Sequence, residues 1–454
     1  MISRTTLLRR AAASITAAGV ALAGAAVLTA TPSQAATKKY ETPFAYQGSA
    51  YGTRVSAGDP NEGGVASGRT AWSVLGCTSM APIRNHRGSN VGKVNANDYV
   101  KVGAVDSYTS TYRKPRKKVF GSRSVNKVAD IVLGSDDGPQ LRFAGLSTIA
   151  HAYNDKGRFR ASADINLVGV EADGIVPDGS ETPGPLGDLV DAIDQADNQA
   201  VEAVIEGAGT NGIDIPGLGT VYPAGTHRTP TSHNGATANA YGIRVVLENG
   251  SQVVIGRAWA RIQKAYPAGV FAGHAYGYEG VVGEGVAGLG RTPFQNLPCI
   301  GTRGRWRSNP LTEAPRNAQL NASGLKAQTY GKPYTDGRAV ARARASVTEI
   351  SLGGGALEIQ GVVGQVNVFQ NARGAISRRT TGGTRIGAII ANGEAQEIPA
   401  PGETLEIPGL ARIKAGLRQN LGKRGLRVHA VRVELLDGTG LVLNIGTAKA
   451  KILR

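Results

Sequence analysis

The side chains of this chain that could do chemistry are six histidines, two cysteines and several clusters of arginine and lysine. The histidines are His86, His151, His227, His233, His274 and His429. None stands at metal-ligand spacing with another histidine and a carboxylate. His227 and His233 share a Thr/Ser-rich loop, but a zinc site needs three or four converging ligands. Gly134-Ser135-Asp136-Asp137-Gly138 and the stretch Asp173 to Asp178 carry oxygens that suit calcium, without the ordered spacing of a calcium loop. No nucleophile elbow, phosphate loop or dinucleotide fingerprint occurs. A glycosidase would need two facing carboxylates. Asp164, Glu171, Glu248 and Glu434 are available, and sequence alone does not pair them. No catalytic residue, metal ligand or cofactor is therefore assigned.

The basic clusters are better defined. Arg113-Lys114-Pro115-Arg116-Lys117-Lys118 precedes Phe120, and Arg303-Gly304-Arg305-Trp306-Arg307 follows Cys299. Arg338, Arg342 and Arg344 are expected to line one strand, and Arg378-Arg379 to mark a turn. Trp306 among arginines can stack on a sugar or a base. The formal charge is +17; removal of a leader holding Arg4, Arg9 and Arg10 leaves 17 − 3 = +14. So basic a surface is drawn to anionic polymers by long-range electrostatics. The expected contacts are Arg113, Lys114, Arg116, Lys117, Lys118, Arg303, Arg305, Trp306 and Arg307. The expected partners are anionic cell-wall polymers or acidic glycans.

What positions these groups is a duplication. Ile215-Pro216-Gly217-Leu218, then Ile243-Arg244-Val245-Val246-Leu247-Glu248-Asn249-Gly250, then Gly256 to Ile262 recur late in the chain. The copies are Ile407-Pro408-Gly409-Leu410, Val431 to Gly438, and Gly446 to Ile452. Earlier, Ala50-Tyr51-Gly52-Thr53 matches Ala275-Tyr276-Gly277-Tyr278, and Gly68-Arg69-Thr70 matches Gly290-Arg291-Thr292. Cys77 matches Cys299 at 299 − 77 = 222. A period near 200 residues marks tandem domains rather than a solenoid.

Within each copy apolar residues alternate, and Asn-Gly or Asp-Gly closes the runs, which reads as β-hairpins. With 63 glycines and only 5% aromatics, the chain reads as all-β: two tandem duplicated β-sandwich-like domains, 49–265 and 266–454. Pro216 and Pro408 place their motifs at a strand start or sheet edge. Ala430 beside Val431 breaks the alternation and suggests a bulge. The first copy holds 27 extra residues (219 − 192) between Gly174 and Ile215. This insertion, 175–214, shows helical spacing of Leu186, Leu189, Val190, Ile193 and Val204, with acids and no Lys or Arg over 181–206. It reads as an acidic amphipathic helix.

Residues 1–35 read as a signal peptide, with Arg9-Arg10 before the apolar run Ala11–Ala30; export by Sec or Tat fits equally. A linker, 36–48, follows. No later apolar run is long enough to span a membrane as a helix. The end, Ile452-Leu453-Arg454, carries no sorting motif, so release or non-covalent wall association is expected. In an oxidising compartment Cys77 and Cys299 are expected to form a bridge between the domains.

Ala50-Tyr51-Gly52-Thr53, Leu75-Gly76-Cys77-Thr78 and Ile215-Pro216-Gly217-Leu218-Gly219, after an Ala-rich leader, resemble the choice-of-anchor P family of exported actinobacterial surface proteins. The resemblance implies a surface protein and supplies no catalytic residues. The expectation is a secreted, non-enzymatic β-rich protein of the cell surface or matrix that binds anionic polymers through basic loops. The alternatives are a secreted glycan- or peptidoglycan-active enzyme and a non-specific nucleic-acid binder.

Overall fold

The computed structural model describes residues 38–57, 65–66, 68–94, 99–134, 140–173, 212–215, 217–223, 227–282, 287–314, 320–438 and 440–453. The leader, the acidic helix of 175–214 up to residue 211, and the calcium candidates at 135–138 and 174–178 lie outside the described residues. Of the described residues 75% are strand and 3% helix, in antiparallel sheets, and among them no helix reaches seven residues. Among the described residues no helix is long and apolar enough to cross a membrane.

The first half contributes β1 (Tyr40–Ala57), β2 (Val65–Ala66), β3 (Ser73–Ala81), β4 (Ile83–Lys93), β5 (Val100–Lys114), β6 (Val119–Gly134), β7 (Gln140–Asp155), β8 (Arg158–Asp173), β9 (Ile213–Ile215), β10 (Gly219–Tyr222), β11 (Thr231–Ser232), β12 (Gly235–Leu247) and β13 (Gln252–Lys264). The second contributes β14 (Val270–Val282), β15 (Ala287–Leu297), β16 (Arg307–Glu313), β17 (Leu320–Pro333), β18 (Ala339–Leu352), β19 (Leu357–Gln370), β20 (Ile376–Thr380), β21 (Ala388–Ala391), β22 (Glu394–Gln396), β23 (Thr404–Ile407), β24 (Ala411–Asn420), β25 (Gly425–Leu435) and β26 (Val442–Leu453). The stretch read as a linker, 36–48, is strand from Tyr40, because Phe44 and Tyr46 are buried core residues. Arg378-Arg379 lie within β20 rather than in a turn, and Arg338 precedes β18 instead of lining it.

One fourteen-stranded sheet runs through both halves in the order β23-β24-β25-β26-β14-β15-β2-β1-β13-β12-β10-β9, with β3 beside β1 and β11 beside β12. The sheet β4-β5-β6-β7-β8 packs on its first half, and the seven-stranded sheet built from β16 to β22 packs on its second. Each half is thus a two-layer sandwich with alternating residues turned inward. Val128, Phe143, Leu146, Ile243 and Ile255 are among the core of the first. Val347, Ile359, Val362, Val433 and Ile445 fill the second. Both motifs with the sequence Ile-Pro-Gly-Leu lie at the outer edges of the central sheet. In each, the leucine N–H donates to the isoleucine carbonyl at 3.1 Å, closing β9–β10 and β23–β24.

The halves meet in an isologous way, with equivalent residues meeting where the pseudo-two-fold passes. In the β2–β15 pair Ala66 lies opposite Gly288, a separation of 288 − 66 = 222. The Cys77–Cys299 disulfide, with Cα atoms 5.4 Å apart, has the same separation of 222. Around it Ala45, Val270, Ala265, Ala272, Ile300 and Leu453 form a small core. Residues 39–454 consequently make one compact body.

The long strands switch faces midway. Val102 and Val105, Val128 and Ile131, and Phe143 and Leu146 all point into one core, although each pair is three residues apart. Asp130, Gly169, Gly324, Gly361, Gly416 and Gly446 take the left-handed conformation at or beside these levels. Partner strands switch together, so register is kept: His429 faces Thr447 and Val431 faces Ile445 on either side of Ala430. Ala430 is therefore not an extra residue, and the broken alternation is a face switch opposite Gly446. The turn at Asn249-Gly250 also differs from a two-residue hairpin. Only Gly250 has positive φ, and Leu247 N–H reaches the Ser251 carbonyl at 2.8 Å. At Asn392-Gly393 both residues have positive φ, as a type I′ turn requires.

Candidate functional site

The basic clusters singled out from sequence sit at two separate turns. Arg113 to Lys118 form the β5–β6 turn of the five-stranded sheet, closed by Lys118 with φ 52°. The Arg113 guanidinium lies 3.9 Å from the centre of the Tyr40 ring, and Lys114, Arg116, Lys117 and Lys118 are exposed. Arg303 to Trp306 form the turn between Cys299 and β16, and Arg307 is the first residue of that strand. There Thr302 Oγ1 donates to the Arg305 carbonyl, and Trp306, 43% exposed, lies 5.4 Å from Tyr330. The structure places the two clusters on different sheets in different halves.

A second, more organised array was missed. It occupies the face of the central sheet turned away from both packing sheets. Along β13, Ala258, Ala260 and Ile262 point inward, so Arg257, Trp259 and Arg261 point out. Arg257 pairs in register with Tyr51 on β1 and Tyr241 on β12. Its guanidinium lies 4.5 Å from the Tyr241 ring centre and 5.9 Å from that of Tyr51. Arg69 covers Trp72 at 4.6 Å and Tyr51 at 5.4 Å. Arg244 covers Tyr222 at 4.0 Å. Trp72, 44% exposed, donates its indole N–H to Ser49 Oγ at 3.1 Å, which fixes the ring. The sequence signal was present as basic and aromatic residues alternating with alanines over Arg257-Ala258-Trp259-Ala260-Arg261.

The second half repeats the scaffold with different chemistry. Tyr276 stands where the first half has Tyr51, and Arg291 where it has Arg69. Arg291 lies 5.3 Å from the Tyr276 ring centre and bonds Glu279 at 2.8 Å, while Tyr276 donates to Glu279 at 2.6 Å. Two rungs cross this face: Gln419, Arg427, Lys449, His274 and Asn296, and beside it Leu417, His429, Thr447, Tyr276 and Phe294.

The electrostatics of the face are those of crowded, partly desolvated cations. Burial, then the neighbouring Arg54 charge, lowers Arg69 to about 10. Burial and then the Arg307 charge lower Arg261. Lys449 falls to about 8 through burial and the Arg427 charge. His429 falls to about 4 and His274 to about 2, chiefly by burial, so both rings are neutral near pH 7. The Nε atoms of Arg69, Arg257, Arg261 and Arg427 are buried and make no hydrogen bond among the described residues. Buried donors of this kind call for a partner.

The carboxylates considered for glycoside hydrolysis are not brought together. Asp164 and Glu171 are exposed on β8, Glu248 is exposed on a turn, and Glu434 lies on β25 in the other half. His86 bonds Asp106 at 3.0 Å on the exposed edge of the five-stranded sheet, and His151 bonds the Tyr112 hydroxyl at 2.7 Å. Among the described residues no group of three His, Cys, Asp or Glu side chains could hold a metal ion.

No protein-family model matches the chain. No curated protein matches it. Among solved structures, a double mutant of the vaccine antigen transferrin binding protein B from Haemophilus parasuis Hp5 overlaps 91% of this chain and 77% of its own, at 8% identity and a TM-score of 0.11. A similarity of that size carries no argument about fold or function.

Proposed function

We propose that this is a secreted, non-enzymatic β protein that associates with the cell surface or matrix by binding linear anionic polymers, cell-wall polymers or acidic glycans, on the outer face of its central sheet. The observation that carries the reading is Arg257, its guanidinium laid between Tyr51 and Tyr241 on the outer face. A guanidinium resting on an aromatic face is pre-organised. It loses little side-chain freedom when it grips an oxyanion. The flanking Arg69, Arg244 and Arg261 extend the cationic row. The exposed Arg113 to Lys118 turn and the Trp306 turn add charge that steers a polyanion toward the body. The disulfide supports export, because such bridges persist in oxidising compartments.

Affinity for a defined acidic polysaccharide, polygalacturonate, measured by calorimetry across a salt series, tests the reading. Binding should weaken as salt rises, as for any polyanion contact. Arg257→Ala with Tyr241→Ala should weaken it about tenfold, the loss of roughly 1.4 kcal/mol. Removing the charges of the turn residues Arg116, Lys117 and Lys118 should change it only about two- to threefold, as rim charges do. Equal loss from both sets, or binding that ignores salt, would overturn the assignment to this face.

A further inference from the structure

We infer that the groove on the outer face of β24 and β25, in the second half only, is a distinct site for a three-oxygen anion, a phosphate or sulfate ester carried by the polymer. The inference rests on the polymer-binding reading above but concerns a different set of residues. Arg412, Lys414, Leu417, Arg432 and Glu434 line one concavity at the level where the strands switch faces. Within it Lys414 lies directly opposite Arg432. Two rungs beyond the switch, past His429 and Thr447, Arg427 lies directly opposite Lys449. Like charges facing one another across a strand pair are destabilising, so two such pairs on one face need a reason.

The carboxylates at hand do not supply it. Glu434 and Glu406 are within 3.7 Å and 3.4 Å of Arg412. Glu279 is held by Arg291 and Tyr276. Lys414 and Arg432 are left facing solvent, and Lys449, farther along β26, is half-buried opposite Arg427. Arg427 keeps an unpartnered Nε while its Nη1 donates to Gln419 at 3.2 Å.

The chemistry of the pair selects the anion. An arginine fork engages two oxygens of an anion edge-on. A lysine beside it is a point charge that finds an oxygen of its own on a phosphate or sulfate monoester, where on a carboxylate it would share one already held by the fork. The first half shows that the scaffold does not require the pairs. At the position equivalent to Lys414 it has Tyr222, opposite Arg244, and at those of Arg427 and Lys449 it has Asn239 opposite Trp259. The like-charged pairs therefore belong to the second copy, and so does the proposed specificity.

The test compares Lys414→Ala with Arg432→Ala, both exposed positions, against Arg257→Ala on three probes: dextran phosphate carrying phosphate monoesters, dextran sulfate and polygalacturonate. The groove variants should lose about tenfold on dextran phosphate and dextran sulfate and less than about twofold on polygalacturonate. Arg257→Ala should lose on all three. A larger loss on dextran phosphate than on dextran sulfate assigns phosphate, and the converse assigns sulfate. Equal losses of the groove variants on all three probes, or none on any, overturn the inference and leave the polymer reading standing. If polygalacturonate does not bind the unaltered protein, the polymer reading falls alone. The groove is then judged by NMR of the His429 ring during titration with inorganic phosphate or sulfate. A shifted signal, with the ring titrating higher than about 4, supports the site, and an unmoved signal overturns it.

Discussion

Replacing both cysteines, Cys77→Ser with Cys299→Ser, should lower stability more than any other change at the junction. The bridge closes a loop of 222 residues. In the chain-entropy account such a loop restricts the unfolded state by roughly 5 kcal/mol at 25 °C. That figure is an upper one, since residual structure in the unfolded chain reduces it. Among the described residues the native contacts between the halves are a two-residue strand pair, Ala66–Gly288 and Val65–Leu289, the packing of β3 against β14 and β26, and the small core around Ala45 and Val270. Without the covalent tie each half has its own sandwich core and little holding it to the other. The double variant should therefore unfold in urea at a lower midpoint and in two resolved steps, followed by fluorescence of Trp72 and Trp259 in the first half against Trp306 in the second. An unchanged midpoint with a single transition would refute the reasoning. It would mean that the continuous central sheet, not the bridge, couples the halves.

Acid should weaken the fold before the carboxylates titrate. His151 and His429 titrate at about 4 and His274 at about 2 in the folded chain, all lowered mainly by burial. An unfolded histidine titrates near 6.5, so between about 6.5 and 4 the unfolded state holds more protons. Stability is complete above that window and falls as pH drops through it, by at most about 1.4 kcal/mol per pH unit for each histidine; partial exposure of the rings reduces this. Urea midpoints at pH 7, 6 and 5 check it, and a flat profile that is unaltered by replacing the three histidines with glutamine would sink it. Separately, Gly364→Ala should destabilise by about 1–3 kcal/mol or more, because a Cβ there would overlap the Gly446 carbonyl oxygen. Gly76→Ala, with nothing within 4 Å of its Cβ, should stay within about 0.5 kcal/mol. Thermal melts of the two variants compare them directly.

The all-β fold was legible because period-2 alternation and turn residues speak locally. The duplication was legible because Ala50-Tyr51-Gly52 and Ala275-Tyr276-Gly277, or Cys77 and Cys299, keep their order and spacing. The disulfide was expected from the oxidising compartment that an export leader implies, and the two equivalent cysteines are joined. The face switches were half visible. Ala430 beside Val431 signalled a break, but the partner break at Gly446 is on another strand, and only pairing shows that the two cancel. The outer face of the central sheet was not legible as a site. Arg257 is separated in sequence from Tyr51 and Tyr241, and runs of consecutive basic residues, such as Arg116-Lys117-Lys118, drew attention to turns instead. A compact run of charge reports a loop; a row of charge across strands is assembled only by register.

That register explains why a duplicated fold can carry two chemistries. The two copies share their hairpins, their glycine-marked face switches and their inward alternation, because these are what keep the sandwiches closed. Outward positions bear no such load. At the Tyr51 and Tyr276 positions, beside Arg69 and Arg291, both copies keep an arginine over a tyrosine. Farther from the junction they part. The first copy lays Arg244 on Tyr222 and sets Asn239 against Trp259; the second opposes Lys414 to Arg432 and Arg427 to Lys449. The shared pairs lie nearest the β2–β15 seam, and the diverged ones lie toward the two edges of the same sheet. A polymer lying across the seam would meet the same arginine–tyrosine pair twice and then a different surface at each end. Under the proposed polymer binding, the two-fold seam would give a repeated grip at the centre. The divergence would then give the molecule a direction along such a ligand, which two identical copies could not provide.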